Sequence, residues 1–329
     1  MSKQFKERFK FNITNLTFNY FLASLLLMLP ACSFSKSDIK EINSIQEVKS
    51  IFDQASQDDL FVFDVDQVIL EPEEPIMQAR FYNNPEFKKI IDDFYEFFKA
   101  KKNGEEHWDL FFSKMRLKLK AKPIEQTLID NILALQKRNI KVIALTSLEP
   151  GKVGLIDRLE VWRYKQLLSL GLDFSTSFAS QDIKFDELQK TEHAAKFKTK
   201  NGVASRSAVF YKGVACTGCF PKGIVLKTLL ENVECKPSCI YFFDDHRKNV
   251  ESVVEEMKKM GIKCQGFVYK AATVNQPMDG LDIEVARFQH ELMKQHNDDD
   301  YVSYFEAKKI LEQQKIVTKN QLKPIQATP

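Results

Sequence analysis

Short apolar runs separated by helix-length amphipathic stretches restrict this chain to a sheet whose strands are covered on both faces. Leu60-Phe61-Val62-Phe63, Ile140-Lys141-Val142-Ile143-Ala144-Leu145, Ile240-Tyr241-Phe242-Phe243 and residues 262–269 have strand length and little polar alternation. Between them lie helical patterns. Ile124, Leu128, Ile132 and Leu135 share one face of a helix that stops at Arg138-Asn139, and Val250, Val253, Val254 and Met257 share a face of another. The alternation predicts an α/β fold: a Rossmann-like parallel sheet with helices on both sides, over residues 45–75 and 123–285. Ala208–Tyr211 and Val214–Cys216 flank Lys212-Gly213 and predict a hairpin.

Residues 76–122 interrupt the alternation directly after the first strand. They hold Phe81, Phe87, Phe94, Phe97, Phe98, Trp108, Phe111 and Phe112 among many charges at helical spacing. That composition predicts a helical subdomain with a small core of its own. Ligands of open α/β sheets bind beyond the carboxyl ends of the strands, so a helical insertion at that edge is placed to act as a cap. From residue 286 to 329 the chain reads as a polar helical tail.

The chain carries 48 Lys and Arg against 45 Asp and Glu, and its net +3 resides in residues 1–31, where Lys3, Lys6, Arg8 and Lys10 face Glu7 alone. The neutral remainder has no electrostatic footprint for nucleic acid. The cationic start runs into an apolar stretch from Tyr20 to Ala31, shorter than the ~20 residues that span a bilayer. Residues 1–31 therefore read as an export signal. Leu29-Pro30-Ala31-Cys32 resembles a bacterial lipobox, which makes Cys32 the candidate lipidation site. The expected location is the cell envelope or periplasm, with membrane contact only through the signal or its lipid.

The remaining cysteines are Cys216, Cys219, Cys235, Cys239 and Cys264. Their first four have the spacing of a zinc ribbon, but the strand pattern puts one pair before a helix and the other after it, toward opposite ends of the sheet. A local Cys235–Cys239 bridge, or thiols left as small buried hydrophobes, fits better.

The chemistry gathers at strand ends. Asp64 and Asp66 follow the first strand two residues apart, on one side of it. Two carboxylates there can hold a hard cation, or divide the work of nucleophile and general acid. Thr146 ends the second strand. Lys222 opens a helix after the small-residue loop 215–221, and Asp244-Asp245 ends a later strand. All fall at one end of parallel strands, in the order a metal-assisted phosphoryl site requires. His107, His193, His246, His290 and His296 show no ligand spacing, and Lys152-Val153-Gly154 lacks the Gly-Lys-Ser/Thr of a phosphate loop.

Asp64-Val65-Asp66-Gln67-Val68, Thr146, Lys222 and Asp244-Asp245 together resemble the four ordered motifs of haloacid dehalogenase superfamily phosphohydrolases, over roughly residues 45–270. The context Phe243-Asp244-Asp245-His246-Arg247-Lys248-Asn249 is similar to a bacterial branch of that superfamily without an assigned substrate; class B-like acid phosphatases are a weaker likeness. The resemblance implies Mg²⁺ as cofactor and a small phosphorylated substrate. It implies that Asp64 attacks phosphorus and that Asp66 protonates the leaving oxygen, then activates water. Thr146 and Lys222 would bind the phosphoryl group, and Asp64, Asp66 and Asp245, supported by Asp244, would hold the metal. Ser147-Leu148-Glu149 departs from the superfamily's small residue and Arg after the Thr, leaving the pocket one cation short. Alternatives are a nucleotidase-like acid phosphatase and a binding or scaffold lipoprotein without turnover.

Overall fold

The computed structural model describes residues 38–321, apart from 102, 180–181, 202–204, 276–279 and 296–299; the leader and Cys32 lie outside the described residues. The strands are β1 (Ile39–Ile42), β2 (Leu60–Phe63), β3 (Leu70–Pro72), β4 (Ala121–Pro123), β5 (Lys141–Thr146), β6 (Asp182–Phe185), β7 (Ala208–Tyr211), β8 (Val214–Cys216), β9 (Cys239–Asp244) and β10 (Lys263–Tyr269). Eight form one sheet in the order β1-β10-β9-β2-β5-β8-β7-β6, while β3 and β4 pair separately. From β1 to β8 every neighbouring pair is parallel; β7 is antiparallel to both β8 and β6. The fold is thus α/β with a mostly parallel central sheet. The hairpin at Lys212-Gly213 is present, with both turn residues at positive φ.

The helices are α1 (Lys49–Gln54), α2 (Pro85–Ala100), α3 (Gly104–Lys118), α4 (Gln126–Lys137), α5 (Leu159–Ser169), α6 (Glu192–Asn201), α7 (Lys222–Asn232), α8 (Arg247–Lys259), α9 (Ala271–Val274), α10 (Ile283–Gln295) and α11 (Tyr304–Gln321). None of those among the described residues is long and apolar enough to cross a membrane.

The strands' continuous apolar runs are explained by the two cores they separate. Phe61, Phe63, Val142 and Ala144 point to one face, against Phe52 of α1, Leu128 and Ile132 of α4 and Leu167 of α5. Leu60, Val62, Ile143 and Leu145 point to the other, against Val225 and Leu229 of α7 and Val253 and Met257 of α8. On the first face Phe63, Phe243 and Phe267 stack across three strands at 4.9 and 4.6 Å between centroids, just below the end of β2. With nearly every residue of β2, β5 and β9 buried on one side or the other, register is strongly fixed.

A third core belongs to the insertion. Phe87, Phe94 and Phe98 of α2 pack on Trp108, Phe111 and Met115 of α3. The segment expected as a polar tail completes this core: Val285, Ala286 and Met293 of α10, then Tyr301, Tyr304 and Ala307, are buried in it. Buried Glu74, at the start of the insertion, accepts hydrogen bonds from the Tyr301 hydroxyl, the Tyr304 N–H and Gln289. Polar residues dominate the composition of residues 286–329, yet Ala286, Met293, Tyr301, Tyr304 and Ala307 are buried, while Phe305, Ile316 and Val317 stay exposed.

All five described cysteines are free thiols. Cys216 ends β8 and Cys239 begins β9, so the two pairs sit at opposite ends of the sheet.

Candidate functional site

Parallel pairing brings the ends of β2, β5 and β9 to one edge, with β2 in the middle. Phe63 lies opposite both Ala144 and Phe243, so the residues that follow, Asp64 and Asp244, are neighbours by register. The Asp64 N–H continues the ladder by donating 2.8 Å to the Phe243 carbonyl. The chain then turns sharply. The Val65 carbonyl accepts from Ile69 and Leu70, and Gln67 takes φ 66°, a conformation costly for a residue with a side chain.

Lys222 reaches this edge from the first turn of α7. Its Nζ lies 2.7 Å from Asp64 Oδ1 and 2.7 Å from Asp244 Oδ2, and its side chain is 1% exposed. Gly223 allows the reach: a Cβ there would stand 2.1 Å from the Ser252 carbonyl, so only glycine lets α7 cross α8 this closely. Asp244, fully buried, is saturated. Besides Lys222 it accepts from the His246 N–H at 2.8 Å and from Asn249 Nδ2 at 3.0 and 3.1 Å. Asp64 accepts a further 2.7 Å bond from the Val65 N–H.

Burial opposes the charge on Lys222, but Asp244 and Asp64 outweigh it and hold the ammonium above the usual lysine range. The carboxylate side is the unfavourable one. Burial pushes the Asp64 carboxyl well above its ordinary range; Lys222 pulls it down, and the charges of Asp244 and Asp245 push it up again. Lys222 lies between Asp64 and Asp244, with Asp245 close enough to act on Asp64, so negative charge is in excess and a proton or a further cation must offset it.

A cation has donors at hand. Side-chain ligand atoms of Asp244, Asp245 and His246 lie within 4.8 Å of one another. With Asp244 saturated, Asp245 and Asp64 are the carboxylates with capacity left; carboxylate oxygens suit a small divalent ion, and Asp64 stands outside the converging trio. Asp245 Oδ1 is 2.8 Å from His246 Nδ1, and its carbonyl accepts from Lys270 Nζ at 2.6 Å. This hydrogen bond raises His246 above the usual histidine range against the effect of burial.

Asp64, Lys222, Asp244 and Asp245 are therefore brought together. Thr146 ends the adjacent strand, buried, with its hydroxyl accepting from the Leu148 N–H at 3.3 Å and its carbonyl from Thr217. Asp66 sits apart from that cluster: half exposed, it pairs through Oδ2 with Arg163 Nη2 at 2.7 Å. Sequence reasoning set His246 aside for want of ligand spacing, quoted Asn249 only as motif context, and missed Arg163. Asn249 was findable, because a residue five beyond a strand-end Asp falls in the first turn of the following helix. Arg163 lies 97 residues from Asp66 and gives no such signal.

The family described as "protein of unknown function (DUF2608)" matches residues 41–303. No curated protein and no solved structure matches the chain.

Proposed function

The chain belongs to the DUF2608 family of proteins of unknown function, and from the chemistry at its strand ends we propose that it is an exported, Mg²⁺-dependent phosphomonoesterase of haloacid dehalogenase type. The observation that carries this reading is the buried ammonium of Lys222, 2.7 Å from each of two strand-end aspartates. A structural ion pair needs one carboxylate. Here a second, Asp64, is kept beside the first despite its cost, at an edge where ligands of such sheets bind.

In this reading an Asp64 carboxylate oxygen forms a bond to phosphorus as the ester P–O bond breaks. The leaving oxygen takes the proton of the Asp66 carboxyl. Asp66, now a carboxylate, then removes a proton from water while the water oxygen attacks phosphorus, releasing phosphate and returning Asp64. Lys222 neutralises charge on the phosphoryl oxygens, and the Thr146 hydroxyl and the backbone of its loop orient them. Asp64 and Asp245 would hold Mg²⁺, with Asp244 and Asn249 fixing Lys222 and the turn beside them; bound Mg²⁺ would neutralise the phosphoryl oxygens and relieve the repulsion among the carboxylates. The helices of the insertion would serve as the cap. In support, β3 begins four residues after Asp66 and bridges back to it, so the insertion grows out of the catalytic turn.

The test is hydrolysis of p-nitrophenyl phosphate by the mature protein with and without Mg²⁺. Asp64→Asn removes the attacking charge but preserves the shape, and turnover is expected to fall by several orders of magnitude, roughly 10⁴-fold or more. Equal turnover in wild type and Asp64→Asn, or none in either, refutes the reading and leaves a binding or scaffold role.

A further inference from the structure

Arg163 is an unusual residue to find on α5. It is 4% exposed, and its only ion pair among the described residues is the 2.7 Å contact between Nη2 and Asp66 Oδ2. Nη1 donates to Gln166 Oε1 at 2.5 Å, and Nε is buried without a hydrogen-bond partner. The guanidinium lies 5.1 Å from the Trp162 ring centroid, and Arg116 of α3 lies 5.9 Å from the same ring. α5 itself packs on β7 and β8, and the end of β8 is level with Thr146.

We propose that Arg163, held on α5, is the positioning residue for Asp66. This role rests on the phosphomonoesterase reading. A buried guanidinium is expensive to desolvate and is held here for one half-exposed carboxylate, which a stabilising pair does not require. By occupying Oδ2 the Nη2 donor leaves Oδ1 as the oxygen that carries the transferable proton. It also fixes the plane of the carboxyl, so that proton faces the ester oxygen. The step served is the one given above: the P–O ester bond breaks, the leaving oxygen takes the Asp66 proton, and Asp66 is left as a carboxylate paired with Arg163. The Trp162 ring, which both Arg163 and Arg116 approach, ties that orientation to α3 of the insertion.

Leaving-group dependence separates this role from simple stabilisation. p-Nitrophenolate departs without a proton; an alkoxide does not. Full-length variants are assayed with Mg²⁺ on p-nitrophenyl phosphate and on glycerol 2-phosphate. Arg163→Met is expected to lower kcat about 10–100-fold on glycerol 2-phosphate, with KM unchanged, and less than about fivefold on p-nitrophenyl phosphate. Asp66→Asn should show the same selectivity more strongly, and Arg163→Met added to it should cost nothing further, because the positioned group is already gone. Arg163→Lys keeps a buried cation but loses the planar fork. It should lie between wild type and Arg163→Met, and it carries the test if Arg163→Met does not fold. An active wild type with Arg163 variants that lose neither substrate, lose both equally, or add their loss to that of Asp66→Asn overturns this role alone. A wild type inactive on both substrates overturns the phosphatase reading and this role with it.

Discussion

At the scale of single residues, the site is a problem in charge. Lys222 cannot by itself balance Asp64, Asp244 and Asp245; the other positive groups here sit on Asp245, His246 at its carboxylate and Lys270 at its carbonyl. Mg²⁺ should therefore bind the folded chain in preference to the unfolded one and raise its melting temperature by linkage, with a gain of about 2.7 kcal/mol at 100 times the Kd. Asp245→Asn should remove most of that gain while leaving the metal-free melting temperature near the wild-type value or above it, because a repelling charge is lost. Thermal melts with and without Mg²⁺ check both; an undiminished metal response in Asp245→Asn places the ion elsewhere. The carboxylates behind this expectation were readable from sequence because each follows or ends an apolar strand, where position fixes direction, and Lys222 because it opens a helix after a small-residue loop. Asp66 was expected to converge with Asp64 on one side of the strand, but the strand ends at Phe63 and the Asp66 side chain pairs with Arg163 instead. LEVWRYKQLLS, the sequence of α5, buries Glu160 and Arg163 beside Leu159 and Leu167, so no amphipathic pattern marks which face turns inward.

At the scale of elements, close approach matters more than composition. α7 presents Lys222 only because Gly223 lets it cross α8 at the Ser252 backbone, whose carbonyl a Cβ would meet at 2.1 Å. Gly223→Ala should push α7 outward, costing about 1–3 kcal/mol by overpacking, and should lower turnover by more than its stability loss accounts for; a variant with wild-type melting and activity contradicts this crossing. α10 carries a second dependence. His290 is buried against the Phe94 ring, 4.6 Å between centroids, with Nδ1 bonded to the Ala286 carbonyl and Nε2 unpartnered. Burial lowers its pKa from 6.5 to about 4, assisted by Lys294 and opposed by the Ala286 bond and Glu291. The folded state thus refuses a proton that the unfolded state accepts. Its contribution is intact above pH 6.5 and is lost as pH falls toward 4, about 3 kcal/mol in all. His290→Leu should gain on wild type in melting temperature steadily from pH 7 to pH 4.5; a constant difference across that range removes His290 as the cause. The elements the sequence concealed were short or poorly patterned. IKEI of β1 lacks the two-residue alternation and is an edge strand with a single buried residue, and β3 and β4 have three residues each. The central strands, buried on both faces, announced themselves.

At the scale of the whole molecule, the insertion and the C-terminal helices are one body. α2 and α3 supply one half of a core whose other half is α10, Tyr301, Tyr304 and Ala307, with Glu74 tied to Tyr301, Tyr304 and Gln289. Deleting residues 283–321 should strip amide-exchange protection from α2 and α3 while β2, β5 and β9 keep theirs. Retained protection in α2 and α3 would show that the first half stands alone. The shared core also sets a timetable for the growing polypeptide. α10 leaves the ribosome about 170 residues after α3, an interval on the order of ten to thirty seconds at roughly 5–20 residues per second. Throughout it Phe87, Phe94, Phe98, Trp108 and Phe111 lack the helices that cover them in the finished protein. The unfinished chain is the form most exposed to misassociation, and it is there, before the last helices arrive, that a chaperone has work to do.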